Sequence, residues 1–180
     1  MARQHVAFVG LMGTGKTTIG RRCARELDAA FVDTDELVEA QSAMTVAQIF
    51  ETFGEAEFRE REVNAVRDAL LSPHRCVISC GGGAVLDPRN RSALREHSTV
   101  VWLDATPGVL FERIGRTSHR PLLANADPLA TLTRLATLRQ PSYEAAAHIR
   151  IDTSALDHDG TLRAVLAALT ELKGSDDRVS

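Results

Sequence analysis

Long apolar runs are missing from this sequence of 180 residues. A membrane-spanning helix needs about 18–20 consecutive apolar residues. The first apolar run, residues 6–9, is followed within a few positions by Gly13, Gly15 and Lys16. We therefore expect neither a membrane span nor a signal peptide. Cysteine is also rare, with three residues in all, and an odd count in a chain long enough to form a core predicts reduced thiols and a cytoplasmic protein.

A large net charge is absent as well, because 21 basic and 24 acidic residues leave a net charge of −3. This balance gives no reason to expect nucleic acid or an anionic membrane as a partner. Lysine is scarce, since Lys16 and Lys173 are the two lysines beside nineteen arginines. The remaining composition, 44% hydrophobic and 25% charged, is typical of a folded protein. We expect a single domain over residues 1–173 and a polar tail over residues 174–180.

Five short apolar runs bounded by turn residues predict five β-strands, and helical patterns separate them. This alternation is typical of a parallel sheet covered by helices on both faces. We therefore predict an α/β fold with three layers, α/β/α, around a five-stranded parallel sheet. The predicted strands lie at residues 6–9, 31–33, 76–79, 100–103 and 149–151.

Helix starts are marked by capping residues. Thr45 precedes Gln48 by three positions, and Asp87, Thr106 and Asp127 each stand before a proline. An apolar period that breaks at Gly54 predicts a pair of helices inserted between the second and third strands. We expect a helical region at about residues 34–71 that walls a substrate pocket. Residues 115–128 show no period and are long for a connection, whose median length is about 4–6 residues, so we predict a lid there.

Residues 10–17, Gly-Leu-Met-Gly-Thr-Gly-Lys-Thr, match the phosphate-loop pattern G-x-x-x-x-G-K-[ST] between a predicted strand and a predicted helix. Glycines let the backbone wrap an anion, so that N–H groups and a helix N-terminus point at the β-phosphate of a nucleotide. Lys16 is expected to bridge the β- and γ-phosphates, and Thr17 to offer its hydroxyl to Mg²⁺. The alternative is a glycine-rich turn with an incidental lysine. The candidate nucleotide contacts are Gly13, Thr14, Gly15, Lys16, Thr17 and Thr18.

GTPases, ATPases and small-molecule kinases share this loop. The guanine-recognition sequence Asn-Lys-x-Asp is absent, which weakens the GTPase interpretation. A kinase for a small acceptor fits better.

Two carboxylates, Asp33 and Asp35, close the second predicted strand. If the strand continues, alternation places both on one face, at the carboxyl end where α/β sheets bind ligands. One carboxylate would then approach Mg²⁺ and the other would receive an acceptor hydroxyl. The alternative is a helix N-cap followed by acidic residues in the first helical turn.

Further motifs follow in a fixed order over about residues 5–155, and together with the phosphate loop they resemble the shikimate kinase family. The triplet and the R-P-L-L string are weak alone, but the ordered set is highly specific. They are F-x-D-x-D at residues 31–35, G-E-x-x-F-R-x-x-E at residues 54–62, the triplet at residues 81–83, R-P-L-L at residues 120–123 and R-x-x-x-Y at residues 139–143.

The resemblance implies a fold like that of nucleoside-monophosphate kinases. It also implies transfer of the ATP γ-phosphate to the 3-hydroxyl of shikimate, which gives shikimate 3-phosphate and ADP in aromatic amino-acid biosynthesis. The expected ligands are ATP, shikimate and Mg²⁺, and we expect a cytoplasmic monomer.

The same resemblance implies roles for individual residues. Arg59 and Arg139 match positions that bind the substrate carboxylate, which suits arginine chemistry. Asp35 matches the residue that binds the ring hydroxyls and is the proposed base, and Asp33 matches the one near Mg²⁺. The resemblance also implies that Gly81, Gly82 and Gly83 contact the substrate and that Arg113 lies beside the adenine. Arg120 matches a lid arginine that closes on the phosphates. The implied catalytic candidates are Lys16, Asp35 and Arg120.

Three alternatives remain open at this point. Asp104, which follows four apolar residues, is placed like the metal-binding aspartate of many phosphate-loop NTPases and competes with Asp33 for the metal. A gluconate or nucleoside-monophosphate kinase would share the loop, the fold and the lid. A nucleotide-binding regulator without turnover would keep the fold alone.

Overall fold

The computed structural model describes residues 4–115 and 127–176. Within them, five parallel strands form one sheet in the order β2-β3-β1-β4-β5, which confirms the predicted sheet. Each strand lies within two residues of its predicted start. The strands are His5–Val9 (β1), Ala30–Asp33 (β2), Cys76–Ser79 (β3), Ser98–Asp104 (β4) and Ile149–Asp152 (β5).

Helices cover both faces of the sheet. Alternation along β1 divides the core, because Val6 and Phe8 pack with α1 and α7 while Ala7 and Val9 pack with α3 to α6. The predicted three layers are therefore present. The helices are Lys16–Glu26 (α1), Thr34–Ser42 (α2), Val46–Leu70 (α3), Pro88–His97 (α4), Pro107–Gly115 (α5), Pro128–Ala146 (α6) and His158–Asp176 (α7).

The capping signals start the helices as predicted. Thr45 and Gln48 form a reciprocal capping box at α3. Asp87 and Asp127 accept hydrogen bonds from backbone N–H groups at the starts of α4 and α6. Gly54, with φ of 81°, interrupts α3, so the predicted break is confirmed.

The strand argument for the two carboxylates is wrong. Strand β2 ends at Asp33, and Asp35 already lies in the first turn of α2. The N-cap alternative holds, because Asp33 Oδ1 accepts hydrogen bonds from the N–H groups of Asp35 at 3.1 Å and Glu36 at 3.5 Å. Strand alternation therefore does not relate the two side chains.

Two expectations concern the end of the chain and the membrane. Helix α7 continues to Asp176, past Gly174, where we expected the polar tail to begin. None of the helices that the structure describes combines the length and the apolar composition of a transmembrane helix.

Central β1 positions the site. It pairs with β3 on one side and β4 on the other, and all of its residues are buried. Parallel strands end at the same edge of a sheet, so the loop after β1, the triplet after β3 and Asp33 at the end of β2 share one edge.

Candidate active site

A cavity of about 400 Å³, which we call the larger cavity, opens at this edge of the sheet. It brings together the phosphate loop, both carboxylates of the β2–α2 junction, the kinked helix α3, the glycine triplet and α6. These segments are far apart in the sequence. The predicted site residues that line it are Lys16, Thr17, Asp33, Asp35, Arg59, Gly81, Gly82, Gly83 and Arg139.

The phosphate loop is tightly packed. A Cβ at Gly10 would overlap the carbonyl oxygen of Leu103 on β4, so only glycine permits this approach. Gly15 adopts a left-handed conformation with φ of 89° directly before α1, which opens at Lys16. The Lys16 ammonium donates to the carbonyl oxygens of Gly10 and Leu11, both at 2.9 Å, and so lies across the loop. The loop thus presents a helix N-terminus and a cation to one place.

Three side-chain oxygens lie close together at the end of the phosphate loop. The Thr17 hydroxyl donates to Asp33 Oδ2 at 2.9 Å and lies 3.4 Å from Ser79 Oγ. Asp104 is engaged elsewhere, because its Oδ2 accepts from Arg150 at 2.7 Å and its Oδ1 from the N–H of Ala105. This geometry favours Asp33 over Asp104 as a metal ligand.

Hard oxygen donors of this kind fit Mg²⁺, which uses few protein ligands and keeps waters and phosphate oxygens. In the part of the chain that the structure describes, no cluster of three or more His, Cys, Asp or Glu side chains is arranged for a metal ion.

Asp35 lies deep in the larger cavity. Its Oδ1 is buried and has no hydrogen-bond partner among the described residues. Burial, and then the charge of Asp33, raise the pKa of the Asp35 carboxyl above its usual value, although Lys16 and Arg59 oppose the shift. A buried oxygen without a partner is ready to accept a hydrogen bond from a ligand hydroxyl.

Glu62 is a site residue that the sequence analysis left without a role. Its side chain is 1% exposed, and its Oε2 accepts from Arg59 Nη1 at 2.7 Å. Burial raises the pKa of the Glu62 carboxyl, and Arg59 opposes the shift. Burial also disfavours the Arg59 charge, but Glu62 and then Glu55 outweigh it and raise the pKa of Arg59. The available signal was position, since Glu62 falls on the same helix face as buried Phe58 and Val66.

Charged side chains press against the first and third glycines of the triplet. A Cβ at Gly81 would lie 2.6 Å from both Asp35 Oδ1 and Glu62 Oε1, and one at Gly83 would lie 2.5 Å from the Arg59 guanidinium. Each of these separations is shorter than real Cβ contacts. The triplet therefore lets two carboxyl groups and an arginine converge on one backbone segment.

Arg139 reaches the same segment from α6. Its Nη1 donates to the carbonyl oxygen of Gly82 at 3.0 Å, and Tyr143 Oη donates to the same oxygen at 2.6 Å. The Arg139 side chain is buried and lines the larger cavity. The two arginines predicted from different motifs thus face one cavity.

A second cavity of about 220 Å³, the smaller cavity, is lined by the phosphate loop and by residues of α5 and α7. Arg113 lines it and is fixed by hydrogen bonds to Thr153 Oγ1 at 3.0 Å and Thr153 O at 2.6 Å. On the loop, the buried Thr14 hydroxyl donates to Leu11 O at 2.8 Å. Its lining residues are Gly13, Thr14, Gly15, Ile19, Arg113, Leu156, Asp157, His158 and Thr161.

Two predicted residues are not placed in either cavity. Thr18 is exposed in the first turn of α1 and lines neither cavity. Arg120, with residues 116–126 of the predicted lid, lies outside the described residues.

Comparison with known proteins gives a consistent result. The family model for shikimate kinase matches residues 12–170. The shikimate kinase of Symbiobacterium thermophilum is 46% identical over 169 residues, covering 93% of this chain and 97% of that protein. The shikimate kinase of Ralstonia nicotianae is 46% identical over 153 residues, covering 85% and 80%.

Solved structures agree in fold. The shikimate kinase from Acinetobacter baumannii, determined in complex with shikimate, superposes with a TM-score of 0.85 at 32% identity, covering 97% of this chain and 95% of that one. A gluconokinase from Sinorhizobium meliloti 1021 has a TM-score of 0.62 at 18% identity, with coverage of 99% and 98%. The second likeness concerns the fold alone.

Proposed function

The chain belongs to the shikimate kinase family, and from that premise we propose that shikimate receives the γ-phosphate of ATP in the larger cavity. The observation that carries the proposal is the convergence there of Lys16, Asp35, Arg59, Arg139 and the triplet. An arginine pair opposite a buried carboxylate suits an acceptor with one carboxylate and several hydroxyls.

The nucleotide occupies the phosphate loop in this proposal. Backbone N–H groups of residues 13–18 and the N-terminus of α1 hold the phosphates, and Lys16 exchanges its contacts with Gly10 and Leu11 for phosphate oxygens. The adenine enters the smaller cavity beside Arg113. Loop residues line both cavities, Met12 and Lys16 the larger one and residues 13–15 the smaller one, which supports a nucleotide whose γ-phosphate faces the acceptor.

Thr17 and Asp33 would hold Mg²⁺, whose chemistry there is to neutralise charge on the β- and γ-phosphate oxygens. The hydrogen bond between these two side chains supports this role, because it brings two oxygen ligands together beside Lys16. Arg120 of the lid supplies a further cation to the phosphates, as the family resemblance implies.

Acceptor binding rests on Arg59, Arg139 and Asp35. The two guanidinium groups bind the shikimate carboxylate, and the Asp35 carboxylate accepts the hydrogen bond of the 3-hydroxyl. An alcohol is little ionised by a carboxylate before the phosphoryl group arrives, so orientation is the larger part of Asp35's role and proton removal the smaller. As the 3-hydroxyl oxygen bonds to the γ-phosphorus, the bond from that phosphorus to the β–γ bridging oxygen breaks and ADP leaves, and the hydroxyl proton passes to Asp35.

The proposed enzyme is a cytoplasmic monomer. This state is the one that the family resemblance implies. All three cysteines are free and buried, which suits a reducing compartment. We propose no role for nucleic acid or membrane.

A parallel assay tests the proposal. ADP release is measured with Mg²⁺ and shikimate, quinate, gluconate or AMP as the acceptor, and turnover is expected with shikimate. Lys16→Met should lower kcat by about 10²-fold or more, because loop amides alone do not neutralise the transferred phosphoryl group. Lys173→Met, which changes the other lysine, should behave as wild type. Turnover of AMP in preference to shikimate, or an active Lys16→Met enzyme, would contradict the proposal.

A further inference from the structure

One backbone carbonyl in the triplet receives two side-chain hydrogen bonds. Gly82 O accepts from Arg139 Nη1 at 3.0 Å and from Tyr143 Oη at 2.6 Å. The donors are one turn apart on α6, so they reach the triplet from the same helix face. A carbonyl oxygen has two lone pairs, and here both are engaged by neighbouring side chains.

The Tyr143 side chain is buried and packs against β4. It is 2% exposed, and its ring stacks on Trp102 of β4 with 5.7 Å between ring centroids and 25° between planes. Burial raises the pKa of the Tyr143 hydroxyl to about 12, so the group stays a protonated donor at neutral pH. Unlike Arg139, Tyr143 does not line the larger cavity.

The hydrogen bond from Tyr143 to Gly82 O fixes the orientation of the Gly82–Gly83 peptide plane. In a trans peptide the N–H points opposite to the C=O, so Gly82 O directed at α6 turns the N–H of Gly83 away from α6. A Cβ at Gly82 would lie 3.6 Å from Gly10 O and 3.7 Å from Met12 N, so the same segment also packs on the phosphate loop. Gly81 and Gly83 have hydrogen bonds of their own, since the Gly81 N–H donates to Thr34 Oγ1 and the carbonyl oxygens of Gly81 and Gly83 accept from backbone N–H groups. Without Tyr143, the Gly82 carbonyl would keep Arg139 alone of its two side-chain donors.

We propose that Tyr143 is a positioning residue for the acceptor subsite: its hydroxyl fixes the Gly82–Gly83 peptide, so that Arg139 meets the shikimate carboxylate in a preset orientation. This inference rests on the proposed function of the larger cavity. Because Tyr143 acts through Gly82 and Arg139, its loss weakens shikimate binding while the nucleotide site keeps its own contacts.

Tyr143→Phe tests the proposal because it removes the hydroxyl and keeps the ring on Trp102. Shikimate KM is expected to rise about 3- to 10-fold, with ATP KM within twofold of wild type. Ser98→Ala is the matched control, since Ser98 is also fully buried and donates to a backbone carbonyl, Leu94 O, at 2.6 Å. Ser98 begins β4, at the opposite edge of the sheet. The control should lose similar thermal stability and leave both KM values unchanged.

A second measurement needs no variant. Tyr143 is the single tyrosine of the chain, so enzyme grown with 3-fluorotyrosine carries one fluorine reporter at this position. Its ¹⁹F resonance should shift on saturation with shikimate, and less with a non-hydrolysable ATP analogue.

The outcomes separate the inference from the function on which it rests. A shikimate-selective rise in KM together with the ¹⁹F shift supports the positioning role. Three results would overturn the positioning role while the wild type still phosphorylates shikimate. They are an unchanged shikimate KM in Tyr143→Phe, equal rises in the KM for shikimate and for ATP, and a ¹⁹F resonance that does not shift when shikimate binds. Failure of the proposed function appears in the wild type, as absent turnover of shikimate, and overturns both.

Discussion

Arg59 is held by two glutamates that differ greatly in exposure. Glu62 is 1% exposed and lies 2.7 Å from Nη1, whereas Glu55 is 66% exposed and lies 3.1 Å from Nη2. A buried charge-assisted hydrogen bond contributes far more than an exposed one, which solvent screens. Glu62 therefore sets the orientation of Arg59 toward the cavity.

Two matched substitutions test this difference. Glu62→Gln should raise shikimate KM about 10-fold or more, because it removes the charge that holds Arg59 in place. Glu55→Gln removes the same chemical group at an exposed position and should change KM less than about threefold. Steady-state kinetics at fixed saturating ATP measures both. Equal effects of the two variants on shikimate KM would show that burial does not decide which glutamate holds Arg59 in place.

Asp35 is expected to lower stability while it serves catalysis. Its pKa is raised in the folded state, so the folded protein releases this proton at higher pH than the unfolded chain does. Folding stability therefore falls as pH rises from the usual carboxyl range through the raised pKa, and it stays lower at neutral pH. Activity has the opposite dependence, because the carboxylate form accepts the hydroxyl.

Asp35→Asn and Asp35→Ala separate these effects. At pH 7, Asp35→Asn should melt at a higher temperature than wild type, and the difference should vanish below about pH 3.8. Asparagine keeps an acceptor oxygen, so this variant should retain much of kcat, whereas alanine should lower kcat and raise shikimate KM together. A loss of about 10²–10⁴-fold in kcat for Asp35→Asn would instead assign proton removal as the main role.

The break in α3 aims the second half of the helix at the cavity. Gly54 has φ of 81°, and a Cβ placed there meets no atom within 4 Å. The substitution cost at this position therefore comes from the backbone conformation alone. Arg59 and Glu62 follow the break by one to two turns, so the direction of this segment decides where they point.

Gly54→Ala should lower the free energy of unfolding by about 1–2 kcal/mol and raise shikimate KM. Gly108→Ala is the control, because Gly108 lies in α5 with open space around it and no positive φ. Alanine there should be neutral or stabilising by up to about 1 kcal/mol. Urea denaturation monitored by circular dichroism gives the free energy of unfolding of both variants. An equal change in the two would contradict the explanation that the positive φ at Gly54 causes the loss.

Elements with strong local signals were predictable from the sequence. The capping box at Thr45, the Asp-Pro helix starts and the buried apolar strands all rest on short-range chemistry. The β2–α2 junction was not predictable, because aspartate occurs both at strand ends and as a helix N-cap. A four-residue strand is too short for its periodicity to show where the strand ends and the helix begins. Asp33 performs the capping role and also lines the cavity.

The assembled site depends on contacts that no local pattern contains. The motif order predicted a set of substrate-binding residues, and the larger cavity contains Arg59, Arg139 and Asp35 together. The burial of Glu62 and the bond from Tyr143 to Gly82 depend on how α3 and α6 pack against the triplet. Sequence spacing does not encode such distances across the sheet, so the contacts of Glu62 and Tyr143 could be found only in the structure.

The place of β2 in the sheet has a consequence for partial unfolding. Among the described residues β2 pairs with β3 on one side, Ala30 is exposed and the other three residues are half-buried, whereas β1 is buried throughout between two neighbours. Amide protons of β2 should therefore exchange with solvent by local opening, well before those of β1. Asp35, which orients shikimate in the proposed function, lies two residues after β2, whereas Lys16 follows the buried strand β1 through the phosphate loop. Mild urea should accordingly abolish shikimate binding at a concentration where the nucleotide still binds, and shikimate should slow exchange along β2 more than along β1.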